Sequence, residues 1–259
     1  MTAVPAASGQ PTRRGMFKRL LLTEARLLFR EPLLIFWALI FPVGLLVVIG
    51  VTTSGVHRSA FGGLRFIVVY TPVLMVFALA LLSLSAMPAT LASYRDKGYL
   101  KRLRTTPVGA MRLLAAQIVL ILGLAVGVVV LIMLVSHFAF SVPLPGDFGG
   151  FALAIVLTGM AMASLGILIA SVAPSTRIAG AAGGILFFPL MFFAGLWVPQ
   201  AEMGSLLRSI SQYTPLGAAV PAIQNSVTGG WAGSTHLLVL AGYTLVLTRL
   251  SIRLFRWDH

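Results

Sequence analysis

RDKGYLKRLRTTP, residues Arg95–Pro107, lies between two long apolar runs and carries five of the chain's nineteen Lys and Arg within ten residues. The runs on either side, 66–90 and 113–136, contain no Asp, Glu, Lys, Arg or His. Each exceeds the roughly 20 apolar residues that a helix needs to cross a bilayer. A basic island between two such runs marks a loop at a membrane face, because Lys and Arg concentrate in cytoplasmic loops.

Working outward, the same pattern repeats. The 259 residues are 58% hydrophobic and 10% charged, with mean hydropathy +0.98. A soluble domain carries about 25% charged residues. Six spans are predicted, at about 33–53, 66–90, 113–136, 150–173, 178–198 and 235–254, giving an all-α polytopic membrane protein. The fourth and fifth are separated by only a few residues and pair as a tight hairpin.

Sixteen Lys and Arg fall on one side of these spans, in the N-terminal segment, the 91–112 loop, Arg177 and the C-terminal end. Only Arg58, Arg65 and Arg208 fall on the other. The asymmetry places both termini in the cytoplasm. It also accounts for the net charge of +13 without nucleic acid. There is no cysteine, hence no disulfide framework and no thiolate metal site. Sixteen Arg against three Lys, with abundant Ala, Gly and Val, points to GC-rich bacterial coding and so to a bacterial inner membrane.

Residues 1–15 are small and polar and lack the apolar core of a signal peptide, so they are predicted to form a disordered cytoplasmic tail. From 16 to 31 the spacing changes. Arg19, Thr23, Arg26 and Arg30 recur four, three and four residues apart, opposite Phe17, Leu20, Leu21, Leu27 and Leu28. That is an amphipathic helix lying on the inner leaflet with Arg19, Arg26 and Arg30 toward headgroups. Pro32 suits the first turn of the span that follows. Between spans five and six, apolar residues recur helically through Leu206, Leu207 and Ile210 and again through Val220, Ile223 and Val227, punctuated by Pro199, Pro215 and Pro221. Two short amphipathic helices are predicted there, re-entrant or lying on the outer interface.

Several chemistries lack their residues. No acidic residue lies inside a span, which argues against intrinsic proton or sodium coupling. The histidines His57, His137, His236 and His259 have no carboxylate at metal-ligand spacing, so no metal site and no catalytic residue is assigned. No phosphate-loop motif is present, and hydrolysis of ATP by this chain through one is excluded. Gly123 with Gly127, and Gly180 with Gly184, form small-xxx-small pairs that serve close helix packing within the bundle or between copies. The cluster FFPLMFFAGLW, with Pro189 permitting a kink, is either an aromatic belt or a path for an amphiphilic substrate.

Within Arg95–Arg104, Tyr99, Leu100 and Leu103 form one side of a short helix, with Lys101, Arg102 and Arg104 on the others, and Pro107 ends it. An apolar ridge among charges fits docking into a soluble partner's groove; a lipid-facing positive loop is the alternative.

With these motifs in order, the chain resembles the permease subunits of type-2 ABC transporters, in the daunorubicin-resistance branch of drug exporters. REPLLIFWALIFP (Arg30–Pro42) resembles that family's connecting helix and first span, and YRDKGYLKRLRTTP (Tyr94–Pro107) its coupling-helix loop. FFPLMFFAGLWVP (Phe187–Pro199) resembles the fifth span, and YTPLGAAVPAIQN (Tyr213–Asn225) the re-entrant outer region. The resemblance implies a transmembrane domain over 16–259, without ATPase motif or bound cofactor. ATP and Mg would sit on a separate ABC ATPase subunit, two copies per complex, and a second permease copy or paralogue would complete the dimer.

Arg95, Asp96, Lys97, Gly98, Tyr99, Leu100, Lys101, Arg102, Leu103 and Arg104 are thereby expected to couple to the ATPase. Gly98 would allow the sharp turn, Leu100 and Leu103 would seat in the partner, and Arg102 and Arg104 would meet its carboxylates. Spans one, two and five would line the route, with Phe36, Trp37, Phe41, Phe187, Phe188, Phe192, Phe193 and Trp197 as path residues. The expected cargo is a hydrophobic or amphiphilic drug, antibiotic or lipid. A non-transporting membrane partner of an ATPase, or a self-contained carrier, are the competing readings.

Overall fold

Prolines shape the first two helices before packing does. Pro42 has no N–H for the Ala38 carbonyl, and its ring crowds that oxygen. The chain answers with a π-turn, Phe36–Ile40, closed by the Phe41 N–H on the Phe36 carbonyl. Helix α1 therefore runs from 32 to 52 through one wide turn. Helix α2, Phe66–Asp96, repeats the device: a π-turn at Leu82–Ala86 ends two residues before Pro88. The extra residue of a π-turn relieves the clash while keeping the helix continuous.

The computed structural model describes residues 22–23, 25–27, 30, 32–53, 63–96 and 110–254. The predicted tail, most of the predicted interfacial helix and the stretch from Lys97 to Arg104 lie outside the described residues. Within them follow α3 (Ala110–Phe140), α4 (Phe148–Val172), α5 (Thr176–Ala194), α6 (Ser205–Gln212), α7 (Pro215–Val227) and α8 (Ser234–Leu254). Caps set several boundaries. Asp147 accepts from the Gly150 N–H at 3.1 Å to start α4, and Thr214 accepts from the Gly217 N–H at 3.1 Å to start α7. Gly195, at φ +92°, ends α5 in the left-handed conformation, three residues short of the predicted span end at 198.

Among the described residues five helices, α2, α3, α4, α5 and α8, are long and apolar enough to cross a membrane. The predicted first span corresponds to a shorter apolar helix, Phe36–Thr52. With its preceding turn, α1 reaches roughly 31 Å at about 1.5 Å per residue, close to the hydrocarbon thickness. Helix α2 is the hub: 89% of its apolar window is buried, against 22–56% in the other four. Leu74, Met75, Leu79, Leu82, Met87 and Leu91 are fully enclosed along it. The outward faces of the surrounding helices are apolar, with Phe138 80% exposed, Leu238 72% and Ile185 71%. Water would not tolerate such a belt, and lipid requires it.

Between α5 and α8 the two predicted amphipathic helices behave differently. Helix α6 leaves Leu206, Leu207 and Ile210 exposed, as an interfacial helix does. Helix α7 is instead buried nearly all round, packed by α2, α4, α5 and α8. Its small residues explain this: Gly217, Ala218, Ala219, Ala222 and Ser226 let four neighbours approach where larger side chains would hold them off.

Candidate functional site

A cavity of about 670 Å³ opens between α1, α2 and α5. Helix α1 contributes Trp37, Phe41, Leu45 and Ile49 at four-residue spacing, which puts them on one face. Helix α2 contributes Phe66, Tyr70, Phe77, Leu81 and Ser85. Ser85 lies four residues after Leu81, on the same face of the helix. Helix α5 adds Gly184, Phe187 and Phe188, and the segment after it adds Leu196 and Trp197.

The aromatic rings form an unbroken ribbon across the three helices. Phe36 meets Trp37 at 5.4 Å, Trp37 meets Phe41 at 5.0 Å, and Phe41 meets Phe77 at 5.7 Å. Phe77 then meets Phe187 at 5.4 Å, Phe187 meets Phe188 at 5.9 Å, and Phe188 stacks on Trp197 at 6.0 Å. Each such pair is worth about 0.5–1.5 kcal/mol beyond area burial. No lining residue carries a formal charge. The Tyr70 hydroxyl is turned to the Leu196 carbonyl at 2.9 Å. The cavity can therefore hold an apolar or aromatic guest by dispersion and stacking, and it offers no acid or base for chemistry.

The end of the cavity nearest Trp197 is held by a polar knot. Gln200 Nε2 lies 2.8 Å from the Phe193 carbonyl, 2.8 Å from Ser211 Oγ and 2.9 Å from the Gly217 carbonyl. Ser211 Oγ also donates to the Phe193 carbonyl at 2.6 Å, and Arg208 Nε donates to the Gln200 carbonyl at 3.0 Å. These bonds tie the ends of α5, α6 and α7 together around otherwise orphaned carbonyls.

Beyond the cavity, the last two residues of α2 grip the α4–α5 turn. Arg95 donates to the Ala170 carbonyl at 3.1 Å and to the Ala173 carbonyl. Asp96 Oδ2 accepts from the Thr176 N–H at 3.0 Å and from Thr176 Oγ1 at 2.8 Å. A cation thus meets the C-terminal carbonyls of α4 and an anion meets the N-terminus of α5, each the favourable partner for that helix end.

Of the predicted path residues, Trp37, Phe41, Phe187, Phe188 and Trp197 line one cavity, and Phe36 joins through Trp37. Phe192 and Phe193 pair with each other at 5.5 Å and are not among its lining residues. The α5 stripe Gly184, Phe187 and Phe188 continues at Met191, which is fully buried, so the next two rings point elsewhere. Of the predicted coupling set, Arg95 and Asp96 are engaged within the chain, and Lys97 to Arg104 lie outside the described residues. Arg26 and Arg30 are exposed, and Arg19 falls outside.

The resemblance named the second span as part of the route, and the structure supplies the residues of that wall, none of which was singled out from the sequence. The positions 66, 70, 77, 81 and 85 were open to reading, but nearly all their neighbours from Phe66 to Leu82 are apolar too, so no contrast marked the face. The glycine pairs also resolve. A Cβ added at Gly123, Gly127, Gly180 or Gly184 would meet nothing within 4 Å. The close approaches use other glycines: Gly183 rests on the Leu84 carbonyl and Gly166 on the Ser83 carbonyl, both in the α2 π-turn. Pro88 leaves Leu84 without its usual donor, and a helix backbone fills that place. Among the described residues no three His, Asp or Glu side chains gather as metal ligands.

Comparison with protein families matches the ABC-2 type transporter model to residues 16–227. Comparison with curated proteins returns no match.

Proposed function

Since this chain belongs to the ABC-2 type transporter family and is a multi-pass membrane permease of that family, we propose that it forms the transmembrane part of an exporter for hydrophobic or amphiphilic drugs, antibiotics or lipids. Family members typically pair with an ABC ATPase subunit. The proposed assembly has two ATPase copies that bind ATP and Mg, and two permease copies or a permease with a paralogue. It would sit in a bacterial inner membrane with both termini cytoplasmic, the side on which the basic residues concentrate.

The observation that carries the cargo class is the uncharged aromatic cavity of about 670 Å³ between α1, α2 and α5. A guest there gains by leaving water and by stacking, and a charged polymer would find no counter-charge. In the proposed cycle, closure of the ATPase pair on ATP displaces the 97–104 stretch. That movement alternates the cavity between the two sides of the membrane. Leu100 and Leu103 seat in the ATPase, and Arg102 and Arg104 meet its carboxylates.

The test is co-purification from the native membrane followed by ATPase assay in lipid nanodiscs. The expected result is recovery of a separate ATPase that is lost on Leu103→Asp while the chain still inserts. Recovery of the chain alone under every detergent and salt condition would return the basic stretch to a topological anchor and remove the exporter reading.

A further inference from the structure

The α2 terminus, the α4–α5 turn and the cavity wall on α5 form one mechanical chain. Arg95 and Asp96 are adjacent in sequence, yet they serve two different helices. Arg95 satisfies the carbonyls of Ala170 and Ala173 at the end of α4. Asp96 takes both the N–H and the hydroxyl of Thr176 at the start of α5. Beside them Ala92, Ala173 and Ala179 form a small buried cluster, so the three backbones touch with only methyl groups between them. Side chains of α2 therefore hold the α4–α5 turn from outside it.

The next residue along the chain is Lys97, where the basic stretch begins. Nothing in the covalent geometry lies between that stretch and the grip on Thr176. From Thr176, α5 runs as a continuous helix to Gly184, Phe187 and Phe188 on the cavity wall. At about 1.5 Å per residue this is a lever of roughly 12–18 Å. The cavity half of α2 is separated from its grip by the π-turn Leu82–Ala86. Displacement at Asp96 thus has a path into α5 through Thr176, beside the one along α2 itself.

We propose that Arg95 and Asp96 are positioning residues of the transport cycle, which convey movement of the basic stretch to α5 by holding Thr176 and the end of α4. The assignment rests on the exporter reading above. It gives these two residues an internal task, distinct from docking the ATPase.

The chain has no cysteine, so a single Ile185→Cys on the lipid-facing side of α5 can carry a bimane fluorophore. The complex with its ATPase is placed in nanodiscs, and bimane emission is read with and without ATP and vanadate, beside the ATPase rate. The background protein should show an ATP-dependent emission change. Asp96→Ala and Thr176→Val should each reduce that change at least about fivefold, the lower end of ordinary intersite coupling. Thr176→Val, which lies outside the expected coupling set, should leave the ATPase rate unchanged. Asp96→Asn, which still accepts from the Thr176 N–H, should retain most of the change. An undiminished change in both Asp96→Ala and Thr176→Val overturns the proposal. So does a parallel loss of emission change and ATPase binding, which would make Asp96 a docking or folding residue. A background complex with ATPase bound but no emission change sinks the inference alone. Absence of any ATPase sinks the exporter reading and the inference with it.

Discussion

The two halves of α2 do opposite work on one helix. Above the π-turn, Phe66, Tyr70, Phe77 and Leu81 face a cavity and interact through non-directional dispersion and ring contacts. Below it, Arg95 and Asp96 make directional hydrogen bonds to the ends of two helices. A surface of the first kind accepts guests of varied shape, since many weak contacts can be redistributed. A joint of the second kind transmits position, since its geometry is lost if either partner moves. The π-turn between them, pressed by Gly166 and Gly183, lets one helix carry both.

That comparison can be broken most forcefully at its centre. Phe77→Ala removes a buried ring that bridges Phe41 and Phe187, and should destabilise the protein by about 3 kcal/mol; thermal unfolding in detergent reads this. Gly183→Ala sets a methyl against the Leu84 carbonyl and should cost about 2 kcal/mol, with reduced recovery of monodisperse protein. If it is tolerated without loss, the π-turn is not held by the neighbouring backbone. Thr176→Val removes one hydroxyl donor to Asp96 at a partly exposed site and should lower stability by no more than about 1 kcal/mol. Its effect should fall on coupling more than on folding.

The smallest stability effect belongs to Phe188, which is 61% exposed. Phe188→Ala should change the melting point by less than about 0.5 kcal/mol equivalent, yet shift which aromatic dyes stimulate the ATPase. Paired with it, Phe192→Ala with Phe193→Ala should leave that dye preference unchanged, because those rings lie outside the cavity lining. A reversed result would move the guest path up α5.

Much of the fold was legible because bilayer crossing is a one-dimensional property: length, apolarity and absence of charge can be read along the chain. The predicted spans fall within a few residues of α3, α4 and α8. Helix α2 runs six residues past its predicted end at 90, because Tyr94, Arg95 and Asp96 are polar and nonetheless helical, with the two charges satisfied by α4 and α5. The buried state of α7 was hidden for a related reason. Ala and Gly contribute little to a hydrophobic period, yet they permit the closest packing.

The sequence alone determined the helical class, the membrane setting and the aromatic enrichment on the first and fifth helices, since each follows from residue type and spacing. Tertiary structure alone decided which rings share a cavity, which residues of α2 line its third wall, and that Arg95 and Asp96 bond to the ends of α4 and α5. Those outcomes depend on how helices rotate against one another. In an apolar bundle that rotation is set by small-residue contacts and by hydrogen bonds between helix ends, neither of which leaves a periodic signal in the chain.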